Sequence, residues 1–146
     1  VKEIRNGKET RTNFMRMNVM DYSLLVGVDR QKKELVSFPK TALEPPSGGH
    51  ISHGSPSGKV SGTSIFFESL SYWVNPQTGY IDYENLEERA KDFHTKILMC
   101  GGSSYYREWD FAWMRLSAAK CGAVLMCDPT HICELVATTE CCSPFD

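Results

Sequence analysis

Asp128 and His131 stand three residues apart in the stretch "LMCDPTHI", directly after the apolar run Ala123 to Cys127. Their types and spacing suit two quite different tasks. An aspartate where a buried strand ends can cap a helix, shape a turn or sit solvated at the surface. It can also pair with the protonated nitrogen of a flat heterocycle, keeping that ring cationic and ready to accept the electrons of a substrate carbanion. His131 reaches the same ligand from one turn, although a histidine by itself is more often a hydrogen-bonded structural group. The loop "SGGHISHG", Ser47 to Gly54, is the second candidate: its paired glycines permit close backbone approach, and the His50 ring can stack on a planar cofactor. It fits neither Gly-x-Gly-x-x-Gly nor Gly-x4-Gly-Lys-Ser/Thr, and it reads equally well as a mobile loop. His50 and His53 have no companion acid nearby in sequence, and Cys127, His131 and Cys133 lack the second ligand pair that structural zinc needs, so no metal site is assigned.

These groups need elements to position them. "TSIFFES", Thr63 to Ser69, is rich in aromatic and branched residues and predicts a strand, followed by the turn "NPQTG". Asp82 suits a helix N-cap, and Glu84, Glu87, Glu88, Arg89, Lys91 and Asp92 read as that helix's solvated face. Lys96 to Cys100 predicts a buried strand with the flexible turn Gly101 to Ser104 after it. A second helix is expected from about Arg107 to Cys121, with Trp109, Ala112, Trp113, Leu116 and Ala119 on its apolar face and Gly122 as its stop. The run from Ala123 to Asp128 is then another buried strand. Tyr72, Trp73 and Tyr80 read as strand and turn packing.

Alternating strands and helices with short connections predict an α/β fold with a parallel-rich sheet and flanking helices. Ligands of such sheets bind at the carboxyl ends of strands, where both the Gly101 to Ser104 turn and Asp128 fall. Upstream, residues 37 to 62 are dense in Pro, Gly and Ser and predict a loop; residues 1 to 36 are charged, with one apolar segment.

The totals narrow the function classes. At 146 residues, 41% hydrophobic and 23% charged, the composition is that of one globular domain. A net charge of -2 gives no electrostatic case for nucleic acid, and no apolar run is long enough to span a membrane. The amino terminus lacks the apolar core of a signal peptide, and it opens on Val1, so the chain reads as a piece of something longer. Six cysteines without a Cys-x-x-Cys pair predict reduced, buried thiols.

From about residue 45 to residue 146, the ordered motifs "GGHxxHG", "VNPQTGYIDY", "CGGSSY" and "CDxxH" closely resemble the middle of the serine hydroxymethyltransferase family, particularly its plant cytosolic type. The resemblance implies part of the large domain of a fold-type I enzyme dependent on pyridoxal 5'-phosphate, which moves the hydroxymethyl carbon of serine to tetrahydrofolate and releases glycine. By position, His50 matches the histidine stacked on the cofactor ring, Ser103 and His131 the groups beside its phenolic oxygen, and Asp128 the carboxylate on its pyridine nitrogen. Gly49, His50 and Ile51 match folate contacts. Pro129 and Thr130 stand where the family has Met-Ala, and Cys133 and Glu134 where it has Ser-Gly. The "TTTTHK" segment, whose lysine bonds the cofactor, does not occur before Asp146, so this chain alone is expected to be inactive, and an incomplete sheet is expected to associate with itself or with full-length subunits. The lack of a targeting segment and the cytosolic-type resemblance imply a cytoplasmic protein.

A second resemblance covers residues 1 to 36: "NVMDYSLLVGVDRQKKELV" is similar to the catalytic-loop region of phosphatidylinositol phosphate kinases, the phosphatidylinositol 3-phosphate 5-kinase type in particular. Asp21 would be that family's catalytic aspartate. Together the two resemblances imply a chimera of a kinase fragment and a transferase fragment.

Overall fold

The computed structural model describes residues 39–56, 64 and 68–145, together with the backbone of four short strands upstream. Those four form two hairpins, β1 (Glu3–Arg5) with β2 (Lys8–Thr10) and β3 (Gly27–Asp29) with β4 (Glu34–Val36), both antiparallel.

The remaining strands build one parallel sheet from β5 (Lys40–Leu43), β6 (Ser69–Tyr72), β7 (Ile97–Cys100) and β8 (Val124–Cys127), in the order β6-β5-β7-β8. This is the α/β fold with a parallel sheet and flanking helices that the sequence predicts. The strand-to-strand register runs from Lys40↔Ser69 to Leu43↔Tyr72 on one side of β5 and from Lys40↔Ile97 on the other; Ile97↔Val124 to Cys100↔Cys127 joins β7 to β8. All four strands therefore end at the same side, and the loops after β5, β7 and β8 leave the sheet together.

Helix α1 (Tyr83–Asp92) is capped by Asp82, whose carboxylate accepts the Asn85 N–H at 3.1 Å. Helix α2 (Phe111–Cys121) is capped by Asp110, which accepts the Trp113 N–H at 2.8 Å, and stops at Gly122 in the left-handed conformation. A short helix, α3 (Cys133–Ala137), follows the last strand. Leu86 of α1 and Met114 of α2 pack with Leu98, Cys100, Leu125 and Cys127 in one core, so these alternate strand positions make up the helix-covered face of the sheet. Among the described residues no helix is long and apolar enough to cross a membrane.

Several sequence expectations need correction. The Pro/Gly/Ser-rich stretch 37–62 is not loop throughout: Lys40–Leu43 is an interior strand, buried at all four positions. A short strand covered on both faces need not alternate, so four residues between proline-rich flanks give almost no periodic signal. The strand expected over Thr63 to Ser69 instead runs from Ser69 to Tyr72; Ser64 is helical, and Thr63 and residues 65–67 lie outside the described residues. Helix α2 starts at Phe111 rather than Arg107, because Asp110 offers the cap. Its inward face is Phe111, Met114, Ser117 and Ala118, while Leu116 is 62% exposed. The helix carries two apolar stripes, and only the packing decides between them. Trp113 lies instead against Tyr83, ring centroids 5.1 Å apart. Nor is the outer face of α1 wholly solvated: Glu87 accepts hydrogen bonds from Ser117 and Lys120 and so ties α1 to α2.

Lys40, at the start of an interior strand, is 0% exposed, and burial pulls its ammonium down to about 8. The unfolded value is near 10.4, so between roughly pH 8 and 10 the folded chain binds fewer protons than the unfolded one and its stability rises with pH. Lys40→Met is expected to remove that rise, so that between pH 7 and pH 10 the wild type gains about 1–3 kcal/mol relative to the variant. Urea melts at the two pH values check this; a difference between the proteins that does not change with pH would refute the assignment.

Candidate functional site

The site grows from the three loops that leave β5, β7 and β8. The first passes through two 3-10 turns, Pro45–Ser47 and Ile51–His53, and is tied back to the sheet by Glu44. That carboxylate is buried and accepts the hydroxyls of Ser55, at 2.7 Å, and Ser71. The second loop is interlocked with the other two by backbone contact. Gly101 has φ +131°, and a Cβ there would lie 2.3 Å from the Asp128 carbonyl oxygen; a Cβ on Gly102 would lie 2.4 Å from that of Gly48. Only hydrogen fits at these positions. The Ser104 N–H donates to Gly48 O at 3.1 Å, and the Asp128 N–H to Cys100 O at 2.8 Å. The paired glycines thus serve loop-on-loop packing.

Within this frame Asp128 receives two partners. His53 Nε2–H donates to Oδ2 at 2.8 Å, from a ring that is 1% exposed. The Thr130 N–H donates to Oδ1 at 3.2 Å, and the Thr130 hydroxyl donates to the same oxygen. The hydrogen bond from His53, with help from Thr130, holds the Asp128 carboxyl well below the usual carboxylate range against the opposing effect of burial. Pro129 fits this arrangement: its carbonyl accepts the Ile132 N–H at 2.9 Å, and the Asp-Pro-Thr turn folds back on the carboxylate.

His50 is half-buried, its Nδ1 accepting the Ser52 N–H at 3.2 Å. Its ring centroid lies 5.6 Å from that of His53 and 6.3 Å from that of the exposed His131. Of the residues singled out in the sequence, the structure sets His50 and Asp128 beside His53, and His131 beside His50. Ser103 is exposed on the adjoining Gly101 to Ser104 turn, Gly49 is buried beside His50, and Ile51 is 48% exposed. Asp21 lies outside the described residues. The trio Cys127, His131 and Cys133 does not converge: Cys127 is buried against Cys100, whereas the exposed Cys133 thiol donates to Thr130 O. Among the described residues no group of three His, Cys, Asp or Glu is arranged to hold a metal ion.

Sequence reasoning missed two residues here. His53 was read only beside His50, since nothing local ties it to an aspartate 75 residues away. Glu44 looked like part of a loop. Neither the 350 Å³ hollow beside Trp73 and Asp82 nor the 240 Å³ hollow beside Tyr106 and Cys141 is lined by any residue of the cluster.

A depressed carboxyl contributes stability that is fully present above its unfolded value, near 3.9, and is lost as the pH falls through the folded value. Asp128→Asn is therefore expected to cost about 1.5–3 kcal/mol at pH 7, with the deficit shrinking as the pH drops from about 4 toward 2. Urea midpoints across that range read it directly, and a deficit independent of pH would overturn the ionic account.

The family model for serine hydroxymethyltransferase matches residues 31–146, beginning upstream of the residue 45 expected from motifs and so taking in β5. Serine hydroxymethyltransferase 7 of Arabidopsis thaliana is 65% identical over 107 residues, 71% of this chain and 18% of the relative. Serine hydroxymethyltransferase 4 of the same plant is 56% identical, over 71% of this chain and 23% of the relative. The cytosolic serine hydroxymethyltransferase of Oryctolagus cuniculus is 49% identical, over 71% of this chain and 22% of the relative. The chain thus spans about a fifth of the length of these relatives. The matched span holds the parallel sheet, its three interlocked loops and the imidazole-carboxylate cluster, and the chain belongs to the serine hydroxymethyltransferase family.

Proposed function

We propose that this chain forms the ring-binding wall of a pyridoxal 5'-phosphate site, in a protein that transfers the hydroxymethyl carbon between serine and tetrahydrofolate with glycine as the other partner. The observation that carries the reading is the Asp128 carboxylate, held anionic by His53 and Thr130 and grouped with the rings of His50 and His131. The donor set fits the cofactor's ring: a permanent anion suits a protonated pyridine nitrogen, and a half-buried imidazole suits its face. Oδ2, although engaged by His53, keeps acceptor capacity for a second donor.

In this reading Asp128 holds the ring nitrogen, His50 covers the ring, and Ser103 and His131 stand by its phenolic oxygen. Gly49, His50 and Ile51 receive the folate. When bound, the cofactor supplies the electron sink for cleavage next to an amino-acid α-carbon. The chain's own part is to fix the ring's protonation and plane. His53 acts behind Asp128, orienting the carboxylate and sharing its charge. Relatives from rabbit and from yeasts carry the name cytosolic, which supports a cytoplasmic setting. The two sheet edges, β6 and β8, are where a further segment or a full-length subunit would pair. For residues 1–36, nothing described favours the phosphoinositide-kinase expectation.

Pyridoxamine 5'-phosphate tests this, because it carries the same ring but no aldehyde for surface lysines to trap. Equilibrium dialysis of the purified chain should show saturable binding, weakened about tenfold or more in Asp128→Asn, the loss of one ionic contact of roughly 1.4 kcal/mol. Equal binding by the two proteins, or none by either, would reject the assignment.

A further inference from the structure

Cys100 and Cys127 are register partners at the last positions of β7 and β8, so their side chains leave the sheet on the same, helix-covered face. Both are free thiols, buried, with sulfur atoms 2.7 Å apart. The other four cysteines lie outside this pair. A disulfide requires Cα atoms about 4.4–6.8 Å apart and an S–S bond of about 2.05 Å. Neighbouring strands run about 4.8 Å apart, so the backbone already meets the first condition. The sulfurs need to close by only a fraction of an ångström to meet the second. None of the proposed cofactor contacts uses either thiol.

We propose that Cys100 and Cys127 form a reversible dithiol/disulfide site, closed by hydrogen peroxide and reopened by two molecules of a low-molecular-weight thiol, which leave joined as their own disulfide. Cys127, 6% exposed against 0% for Cys100, is the point of entry. Its sulfur attacks the O–O bond of the peroxide, becoming a sulfenic acid as one oxygen leaves in water. The Cys100 sulfur then displaces the sulfenic hydroxyl, which takes up the Cys100 thiol proton and leaves as a second water. The two thiols give up two electrons in all, and the peroxide receives them. Burial, and to a lesser degree the neighbouring Cys127 and Asp128, push the Cys100 thiol well up, which slows its attack, so the step depends on the register that holds the two sulfurs in contact.

The location gives the bond a local effect. Cys100 runs directly into Gly101, and Cys127 directly into Asp128, whose N–H donates to Cys100 O at 2.8 Å. Closing the sulfurs draws these two strand ends together beneath the candidate site. This inference rests on the fold and the register, not on the proposed cofactor.

The test uses the native chain with all six cysteines. It is treated with hydrogen peroxide, its remaining thiols are alkylated, and it is digested without reductant. Expected is a dominant linked pair of peptides carrying Cys100 and Cys127, lighter by two hydrogens than the sum of the free peptides and released by dithiothreitol. A companion variant with Cys121, Cys133, Cys141 and Cys142 all changed to Ser should lose both remaining thiols on oxidation. Recovery of Cys100 and Cys127 as alkylated thiols while the exposed Cys133 and Cys142 are oxidised would overturn the proposal. So would a Cys100–Cys127 link that forms just as readily in concentrated urea, since the fold would then play no part.

Discussion

The candidate site hangs on one charge-assisted hydrogen bond, from the buried His53 ring to the Asp128 carboxylate at 2.8 Å. It joins the loop after β5 to the end of β8 and does two things together. It keeps the carboxylate anionic in spite of partial burial, because a donor aimed at the charged form outweighs the loss of water around it. It also fixes where His50 stands, since His53 and His50 share one 3-10 turn and its flank. Thr130 completes the grip from the other side, through its N–H and its hydroxyl. The carboxylate is thus held at both oxygens, Oδ2 by His53 and Oδ1 by Thr130.

Around that bond the rest of the site is backbone. Where loops after neighbouring strands cross at contact distance, side chains are excluded and amide groups do the joining. This gives the double glycines a meaning that composition could not supply. Read alone, they suggested closeness to a ligand; in the fold, they are where chain meets chain.

How much was legible follows from range. Asp82 as a cap, Gly122 as a stop and the strands at Ile97 and Val124 depend on a few adjacent residues, and their local chemistry settles them. Asp128 and His50 were visible because of residue type and setting. Strand β5 was not, because a four-residue interior strand between prolines has no periodicity to detect. Nor was the true inner face of α2, whose alternative stripe through Leu116 is just as apolar. The partnership of His53 with Asp128 could not be seen locally at all, because it is a product of strand order.

That strand order also bears on when the site can exist. The β7, α2 and β8 segment is a local unit, with Cys100 and Cys127 only 27 residues apart, and it can close without waiting for distant chain. His53 meets Asp128 across 75 residues, and only once β5 has inserted between β6 and β7. Loop-closure entropy opposes such long-range contacts until the intervening pairings are made. The imidazole-carboxylate cluster is accordingly among the last features to assemble and the first to come apart, so its integrity reports on the whole sheet more faithfully than helix content would.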